Sequence, residues 1–285
     1  MGTHERQTRA HLLQQQLKVV QTEQHKLVAV IKQQIALPTY DEAEAVFIDE
    51  VLIVQAMKLA QRSVNDDKEA QYELAHLYRG IGMMTLSAQC FQLAATNGYL
   101  AALYWLGNLY YEGLGVDENI ERAFACYEQA AKAGLADAMN NYADMYLRGE
   151  TVEQNETIAY HWFSKAAMLG VSEAMFTLGY MFEKGVGVEV DEQTSLYWFE
   201  QAAFYGDLYA ANYLGHKAMQ RTAFDEAFVW YLQAANGQDI EGEYNVGFCY
   251  EQGVGTVQNL QKAKYWYQRA ALQGDEQAKD KLTRF

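Results

Sequence analysis

The sequence predicts an all-α protein in which pairs of helices stack as repeats to form an α-solenoid. Adjacent alanines recur along the 285 residues, and the first members of successive pairs lie 36, 36, 36, 32 and 36 residues apart. A fixed period between about 20 and 50 residues is typical of stacked-repeat proteins. Such proteins usually present a long surface rather than a catalytic cleft. The pairs are Ala94-Ala95, Ala130-Ala131, Ala166-Ala167, Ala202-Ala203, Ala234-Ala235 and Ala270-Ala271.

The first segment of each repeat has the pattern of an amphipathic helix. In the second repeat the pattern residues are Ala102, Leu106, Gly107, Tyr110 and Gly113. Their spacings of three, four and seven place them on one helical face. The residue after the leucine position is Gly or Ala in every repeat, which lets a neighbouring helix approach closely.

The second segment of each repeat is also amphipathic and ends in glycine. In the third repeat it runs from Ala159 through Trp162 and the Ala-Ala pair to Gly170. A terminal glycine suits the left-handed residue that closes many helices, and Ser172 suits the N-cap of the next helix. Each repeat is therefore predicted to fold as helix, loop, helix.

The one short interval can be assigned to a loop. The distance from each Ala-Ala pair to the leucine-like residue of the next first helix stays at 12 residues. The deletion must therefore lie between the two helices of the fifth repeat, where Ala218 replaces the usual Tyr and no Gly-x-Gly follows. The first repeat is shortened in the same region, around Arg79 to Ser87. Stacking is predicted to be kept while this loop varies.

Charge and composition exclude several classes of protein. With 22 Lys and Arg against 37 Asp and Glu, the net charge is −15, and nucleic-acid binding needs a basic face instead. An acidic surface favours cationic partners, although the same charge also serves solubility alone. No apolar run reaches the roughly 20 residues that cross a bilayer. Met1 to Val20 has no apolar signal core, so we expect neither membrane insertion nor secretion.

Cysteine usage favours a reducing compartment. Cys90 and Cys126 occupy the position that Trp162 takes in the third repeat, four residues before an Ala-Ala pair. Both are therefore predicted to be buried core residues. Cysteine pairs do not recur within a repeat, so we expect no disulfide framework and a cytoplasmic location.

The first 67 residues lie outside the repeat pattern and are predicted to form a helical hairpin. A coiled-coil-like stripe ends before Pro38, and a second helical segment follows from about Asp41 to Arg62. The hairpin either caps the open end of the first repeat or provides a dimerisation helix. The protein is accordingly expected to be a monomer or a homodimer through this N-terminal element. The stripe consists of Ala10, Leu13, Leu17, Val20, Gln24, Leu27, Ile31 and Gln34.

Residues 68–285 are predicted to form the solenoid domain. The six approximate repeats are 68–99, 100–135, 136–171, 172–207, 208–239 and 240–275. A polar final helix within 276–285 is predicted to close the stack, because terminal repeats need a polar outer face.

The repeat pattern is specific enough to resemble a known family. It reads Ala-x3-Leu-Gly-x2-Tyr-x2-Gly-x-Gly-Val, then Ala-x2-Trp-Tyr-x2-Ala-Ala-x2-Gly, and the fourth and sixth repeats carry it almost whole. It resembles the Sel-one-like repeat family, a relative of the tetratricopeptide repeat, over roughly residues 68 to 285. The resemblance implies a right-handed superhelix of antiparallel helix pairs. It also implies a protein-interaction scaffold, often in bacterial signalling, secretion or host contact.

The sequence contains no motif that predicts an enzyme. Three Gly-x-Gly stretches, at 113–115, 185–187 and 253–255, follow helices and lack the third glycine of a dinucleotide fingerprint, so they indicate interhelical turns. Metalloprotease, nucleophile-elbow and Walker motifs are missing from the sequence. His76 and His216 belong to separate repeats and are poor metal partners. We expect no catalysis, no metal and no cofactor.

The candidate ligand-binding surface is the concave groove that first helices line in tetratricopeptide-like stacks. Residues three before and one after the Leu-Gly glycine would point into it, the next turn adds Tyr111, and aromatic or amide side chains there suit an extended peptide. Alternatively, several of the aromatics fill gaps between repeats. The candidates are Tyr72, His76, Tyr104, Asn108, Tyr111, Asn140, Asp144, Phe176, Tyr180, Asn212, His216, Tyr244 and Phe248.

Three functions compete at this point. The first is a non-catalytic bacterial adaptor that binds a peptide or protein segment, basic segments included, in the groove. The second is an immunity-type or inhibitor protein whose acidic surface neutralises a basic toxin or enzyme. The third is an enzyme acting on cell-wall fragments, which no constellation of residues supports.

Overall fold

The part of the chain that the computed structural model describes is all-α. It comprises residues 55, 58–59, 62–63, 67–80 and 82–285, and within it thirteen α-helices and no strand occur. The predicted N-terminal hairpin lies almost wholly outside the described residues, so its role as cap or dimerisation element stays a prediction. No helix in the described part has the length and apolarity to cross a membrane.

The helices follow one another as six pairs and a short final helix. Nearly all have 13 residues, which matches the two amphipathic segments predicted for each repeat. Their bounds are α1 Lys68–Gly80, α2 Met84–Thr96, α3 Ala101–Glu112, α4 Ile120–Lys132, α5 Ala136–Arg148, α6 Glu156–Met168, α7 Ser172–Lys184, α8 Glu192–Phe204, α9 Leu208–Gln220, α10 Phe224–Asn236, α11 Ile240–Gln252, α12 Leu260–Leu272 and α13 Glu276–Leu282.

Packing follows the order of the chain. The chain divides into two compact units, residues 1–138 and 139–285. In unit 1, α1 packs on α2, α2 on α3 and α3 on α4. In unit 2, each helix from α6 to α13 packs on the next. Helices that contact mainly their sequence neighbours define a solenoid, so the predicted fold class is confirmed.

The alanine pairs lie where one repeat meets the next. The first alanine of all six pairs is fully buried. A Cβ atom added to Gly242 of α11 would lie 2.7 Å from the Cβ atom of Ala234 in α10. Larger side chains would hold these backbones apart, because protein interiors are close-packed.

The glycine after each leucine receives an aromatic ring from the second helix of its own repeat. A Cβ atom on Gly107 would lie 2.6 Å from the ring of Tyr127, and one on Gly179 would lie 2.7 Å from Phe199. Gly215 and Gly247 meet Tyr231 and Tyr267 in the same way. The close approach predicted from the sequence is therefore made by an aromatic ring of the second helix to the backbone of the first helix.

The Gly-x-Gly stretches are interhelical turns, as predicted. The second glycine of each has a positive φ, and it lies against the start of the second helix in the preceding repeat. A Cβ atom on Gly187, for example, would lie 2.7 Å from the Cβ atom of Glu156. The turn therefore helps to set the spacing between repeats.

The two shortened repeats also match the prediction. The fifth repeat joins α9 to α10 through residues 221–223, and the first repeat joins α1 to α2 through residues 81–83. The predicted N-cap of α7 is wrong, however. Val171 is the N-cap, and Ser172 is the first helical residue, whose hydroxyl donates to Glu173. The same cap position holds Asp207 before α9 and Asp239 before α11, whose side chains cap those helices, whereas the Val171 side chain has no acceptor and Ser172 lies one residue too late.

The turn after each second helix contains a residue with positive φ, which is glycine in every repeat except the fifth. Gly98, Gly134, Gly170, Gly206 and Gly274 have positive φ at this position, as expected. In the fifth repeat the position is occupied by Gln238, with φ of 68°. A side chain in this region costs about 1 kcal/mol relative to glycine.

Replacing this glutamine by glycine should stabilise the protein. We expect Gln238→Gly to raise the free energy of unfolding by about 1 kcal/mol, because it removes the Cβ strain. Urea unfolding followed by circular dichroism measures the change. The reverse substitution, Gly206→Gln, should lower stability by a similar amount, since a Cβ atom there meets nothing within 4 Å and strain alone acts. No difference in either variant would contradict this account.

Candidate functional site

The structure places the thirteen candidate groove residues on first helices, with different degrees of exposure. Tyr180 is exposed, Asn212 is buried, and the other eleven are half-buried. The pattern therefore does not describe one uniform surface, and each repeat has to be considered by its contacts.

Asn212 is committed to a contact between repeats. Its amide donates to the carboxylate of Asp239, which in turn accepts the Gly242 amide at 2.7 Å and caps α11. Asn97 forms a related link by donating to Gln71 at 2.9 Å. The Asn212 amide holds the fifth repeat to the sixth in this way, and the residue is buried.

Asn108 and His216 are partners of buried tyrosines. The Tyr127 hydroxyl donates to Asn108 Oδ1 at 2.7 Å, and the Tyr231 hydroxyl lies 2.9 Å from His216 Nδ1. His216 Nε2 lies 2.9 Å from the carboxylate of Glu241 in α11. These contacts satisfy the polar ends of rings that fill the interior of a repeat, which supports the gap-filling alternative at both positions.

Asn140 and Asp144 sit on α5 in contrasting environments. The Oδ1 atom of Asn140 is buried and has no hydrogen-bond partner among the described residues, while its amide lies 3.4 Å from Asn141 Oδ1. Asp144 pairs with Arg148 at 2.9 Å. Burial raises the pKa of Asp144, and Arg148 opposes that shift. In the described part of the chain, Asn140 Oδ1 is thus an unsatisfied acceptor in the interior, as is Asn212 Oδ1.

In unit 1 the candidate aromatics pack on one another. The Tyr72 ring lies 4.5 Å from His76 and 4.6 Å from Tyr99, and its hydroxyl accepts from Trp105 Nε1 at 3.0 Å. The Arg79 guanidinium stacks on Trp105, 3.9 Å from the ring centroid. Tyr72 and His76 are therefore held by their neighbours, in agreement with the gap-filling alternative.

In unit 2 four aromatic residues of α7 and α9 form a partly exposed group, which we call the α7–α9 aromatic cluster. Its members are Phe176, Tyr180, Tyr209 and Tyr213. The ring of Phe176 lies 5.0 Å from Tyr209 and 5.8 Å from Tyr213. Tyr180 is 45% exposed and Tyr209 is 62% exposed. Because two of its four rings face solvent, the cluster is a surface feature.

The floor of the cluster is rigid. Phe199, which is fully buried against Gly179, lies 5.0 Å from Phe176 and 4.7 Å from Tyr213. Burial raises the pKa of Tyr213, and its hydrogen bond to Glu183 raises it further. The Tyr213 hydroxyl therefore stays protonated and continues to donate.

Glu183 anchors one end of the cluster. Its carboxylate accepts from Lys217 Nζ at 2.5 Å and from the Tyr213 hydroxyl at 2.8 Å, and Lys184 lies 3.0 Å away. Burial raises the pKa of Glu183, but these hydrogen bonds and the Lys217 charge outweigh it and lower the pKa to about 2. The charged carboxylate ties α7 to α9.

The sixth repeat contains a comparable arrangement. Glu251 accepts from the Tyr267 hydroxyl at 2.7 Å and from Lys281 of α13 at 2.6 Å. Burial raises the pKa of Glu251, yet the net effect of the two donors is to lower it. Tyr244 and Phe248 lie beside this link, with Tyr244 5.4 Å from Tyr267 and Lys281 5.8 Å from Phe248.

Sequence reasoning missed Tyr209 and Tyr213. Tyr209 occupies the second position of its helix, which the Leu-Gly rule does not select. A signal was present, because the equivalent residues of the other five repeats are small or acidic: Glu69, Ala101, Asp137, Glu173 and Glu241. An aromatic residue at a position that is otherwise small or acidic marks a departure from what stacking requires.

The described residues offer little for covalent or metal chemistry. They contain no group of three or more His, Cys, Asp or Glu side chains placed to hold a metal ion. Cys90, Cys126 and Cys249 are buried and free. Burial raises the pKa of Cys90 to about 12 and that of Cys249 to about 11, which suppresses the reactive thiolate.

Acid should weaken the link between α7 and α9. Because the pKa of Glu183 is about 2 in the folded protein and its ordinary value is 4.5, the stabilisation is complete above pH 4.5 and is lost as the pH falls toward 2. We expect Glu183→Gln to lower the free energy of unfolding by about 2 kcal/mol at pH 7, with the deficit shrinking in acid. Urea unfolding at several pH values measures this.

The matched control for that experiment is Glu189→Gln, which changes an exposed carboxylate in the loop before α8. It should leave the unfolding free energy within about 0.5 kcal/mol of the parent at every pH. An equal pH profile for both variants would mean that Glu183 is not a stabilising ion pair.

Comparisons with known proteins agree with this architecture. The protective antigen c5321 of uropathogenic Escherichia coli, described as having an SLR fold, is 28% identical with a TM-score of 0.69, covering 80% of this chain and 50% of that chain. The Sel1 repeat protein of Oxalobacter formigenes is 28% identical with a TM-score of 0.67, covering 73% and 86%. Chitin synthase regulator SKT5 of Malassezia restricta is 42% identical over 57 residues, 20% of this chain and 4% of that protein.

The repeats themselves match a family model. The model of the Sel1 repeat matches residues 68–99, 100–135, 136–171, 172–203, 209–239 and 240–275. Proteins with these repeats are generally protein-interaction scaffolds and typically non-catalytic. The chain matches only a small part of the curated relative and half of the antigen, so the similarity concerns the repeats and not the whole of either protein. Because the matched segments cover more than half of its residues, the protein belongs to the Sel1 repeat family.

Proposed function

We propose that this protein is a non-catalytic adaptor that binds a peptide or protein segment on the first-helix surface of unit 2, at the α7–α9 aromatic cluster. The observation that carries the proposal is the exposure of Tyr209, whose ring lies 5.0 Å from Phe176, together with the exposure of Tyr180, one helical turn beyond Phe176 on α7. Exposed tyrosines on a rigid support are typical anchors of protein interfaces.

The cluster is prepared for binding in two ways. Its rings are supported by Phe199, so little side-chain freedom would be lost when a partner packs on them. Tyrosine hydroxyls at Tyr180 and Tyr209 can pair with the backbone of an extended segment. Asn140, which is half-buried on α5, stays a candidate hydrogen-bonding residue of unit 2.

The net charge keeps a second function in consideration. A charge of −15 favours a basic partner, as in an immunity-type or inhibitor protein that neutralises a basic toxin or enzyme. The two functions differ in salt dependence, since association through complementary charge falls steeply with ionic strength, whereas an aromatic interface is affected less. The three buried free cysteines support a reducing compartment, the cytoplasm, for either function.

Removing the exposed tyrosines should lower the affinity for the partner and leave the fold intact. We expect the double variant Tyr180→Ala with Tyr209→Ala to lose at least 10-fold in affinity, because hot-spot aromatics typically contribute 2 kcal/mol or more, about 30-fold. The partner is first isolated by pull-down from the native cell at low and high salt, and its affinity is then measured by calorimetry with purified protein.

Tyr197→Ala is the matched control. Tyr197 is a similarly exposed tyrosine that lies on α8 and contacts Trp198 at 5.3 Å rather than the cluster. It should bind like the parent, and all variants should keep the helical circular dichroism spectrum. Unchanged affinity in the double variant would contradict the proposed site. Affinity that disappears at high salt would favour the inhibitor function.

A further inference from the structure

Four large apolar side chains stand exposed at the C-terminal ends of α6 and α8 and on the turns that follow. They are Met168, Leu169, Phe204 and Tyr205, with exposures between 53% and 80%. We call them the turn-edge patch. Met168 and Phe204 are the last residues of these second helices, and Leu169 and Tyr205 follow them, whereas the α7–α9 aromatic cluster lies on first helices, so the two features are distinct.

The two turns form one surface. The ring of Tyr205 lies over the preceding turn, because a Cβ atom added to Gly170 would meet Tyr205 Cε1 at 3.3 Å. Phe204 and Tyr205 pack edge to face with their centroids 5.6 Å apart. The turn-edge patch is therefore continuous across two successive repeats.

Stacking of the repeats does not require these side chains. The residue that follows the Ala-Ala pair is polar in the first, second and fifth repeats, where it is Thr96, Lys132 and Asn236. Those repeats pack on the same small residues without an apolar group at this position. Contiguous exposed apolar surface of a few hundred Å² is uncommon on soluble proteins and marks interaction sites.

Two carboxylates border the turn-edge patch. Glu173 lies in the first turn of α7, and Asp207 caps α9 by accepting the Ala210 amide at 2.8 Å. Burial raises the pKa of Asp207, and the nearby Glu173 charge raises it further. Within the described part of the chain neither carboxylate forms an ion pair. A cation placed between them would relieve their repulsion.

We propose that the turn-edge patch is a second interaction surface, which takes a partner-protein segment that combines bulky apolar side chains with Arg or Lys. Apolar side chains would cover Phe204 and Met168, while the cationic group would lie between Glu173 and Asp207. A second copy of this chain fits less well, because the same carboxylates would approach each other across a two-fold axis. The net charge of −15 adds to that repulsion.

Three synthetic peptides of equal length test the proposal by fluorescence anisotropy with the full chain. One combines Phe and Leu with Arg, the second replaces Arg by Glu, and the third replaces Phe and Leu by Ser. The first should bind at least 10-fold more tightly than the other two. Equal binding of all three, or binding of none, would overturn the proposal.

Variants locate the binding. The double variant Met168→Ser with Phe204→Ser should lower affinity about 10-fold, because burial of two apolar side chains is lost. Glu173→Gln with Asp207→Asn should lower it about 3-fold at low salt and flatten its salt dependence, while the introduced asparagine side chain would still cap α9. Val229→Ser, which changes an exposed apolar residue on α10, is the matched control and should bind like the parent.

Two further results distinguish binding at the turn-edge patch from binding at the aromatic cluster and from self-association. Tyr180→Ala with Tyr209→Ala should leave the peptide affinity unchanged, and loss of binding in that variant would assign the peptide to the aromatic cluster and overturn a site at the turn-edge patch. In sedimentation experiments the parent should not self-associate through the turn-edge patch, so the double variant Met168→Ser with Phe204→Ser should sediment like the parent. Such self-association would identify a second copy as the occupant and contradict a basic partner.

Discussion

The close contact of small residues between helix backbones is the constraint on which the rest of this structure depends. At Gly242 and Ala234 the backbones of successive repeats meet with no room for a larger side chain. Within a repeat, the glycine after the leucine receives a ring such as Tyr127 or Phe199. Neighbours stack only where a small residue occupies these positions, which explains why Gly and Ala keep a fixed period while other positions vary.

The same constraint explains where functional variation can occur. Because small residues and buried rings carry the stacking, residues on the exposed side of a first helix or on a turn can change without loss of the fold. Tyr209 and Phe204 are such changes, at positions where other repeats have acidic, small or polar residues. Both lie in unit 2 and within successive repeats.

Buried polar contacts differ from one repeat to the next. Glu243 is fully buried, with its carboxylate 2.7 Å from Arg269 and 3.0 Å from the Gln273 amide. The equivalent position is apolar in the second to fifth repeats, for example Leu103 and Met175. A buried ion pair adds little net stability, but breaking one is costly. Such pairs, like those of Glu183 and Glu251, favour one order of neighbours over another.

Much of the fold could be predicted from the sequence because its determinants are local and periodic. The Ala-Ala interval indicated the helix pairs, the glycine after leucine indicated a close approach, and the constant 12-residue spacing located the short loop of the fifth repeat. The prediction failed at Ser172, because the N-cap position lies one residue earlier, at Val171.

The sequence by itself determined the fold class and the helix pairs of the six repeats. Only the tertiary structure decided which side chains on those helices remain available. The Asn212 amide is hydrogen-bonded to Asp239, 27 residues away, and Glu183 is paired with Lys217, 34 residues away, whereas Tyr209 stays exposed. The physical reason is that a first-helix side chain meets residues one repeat further along the chain. The identity of those residues varies from repeat to repeat, so a pattern shared by all repeats cannot predict the contact.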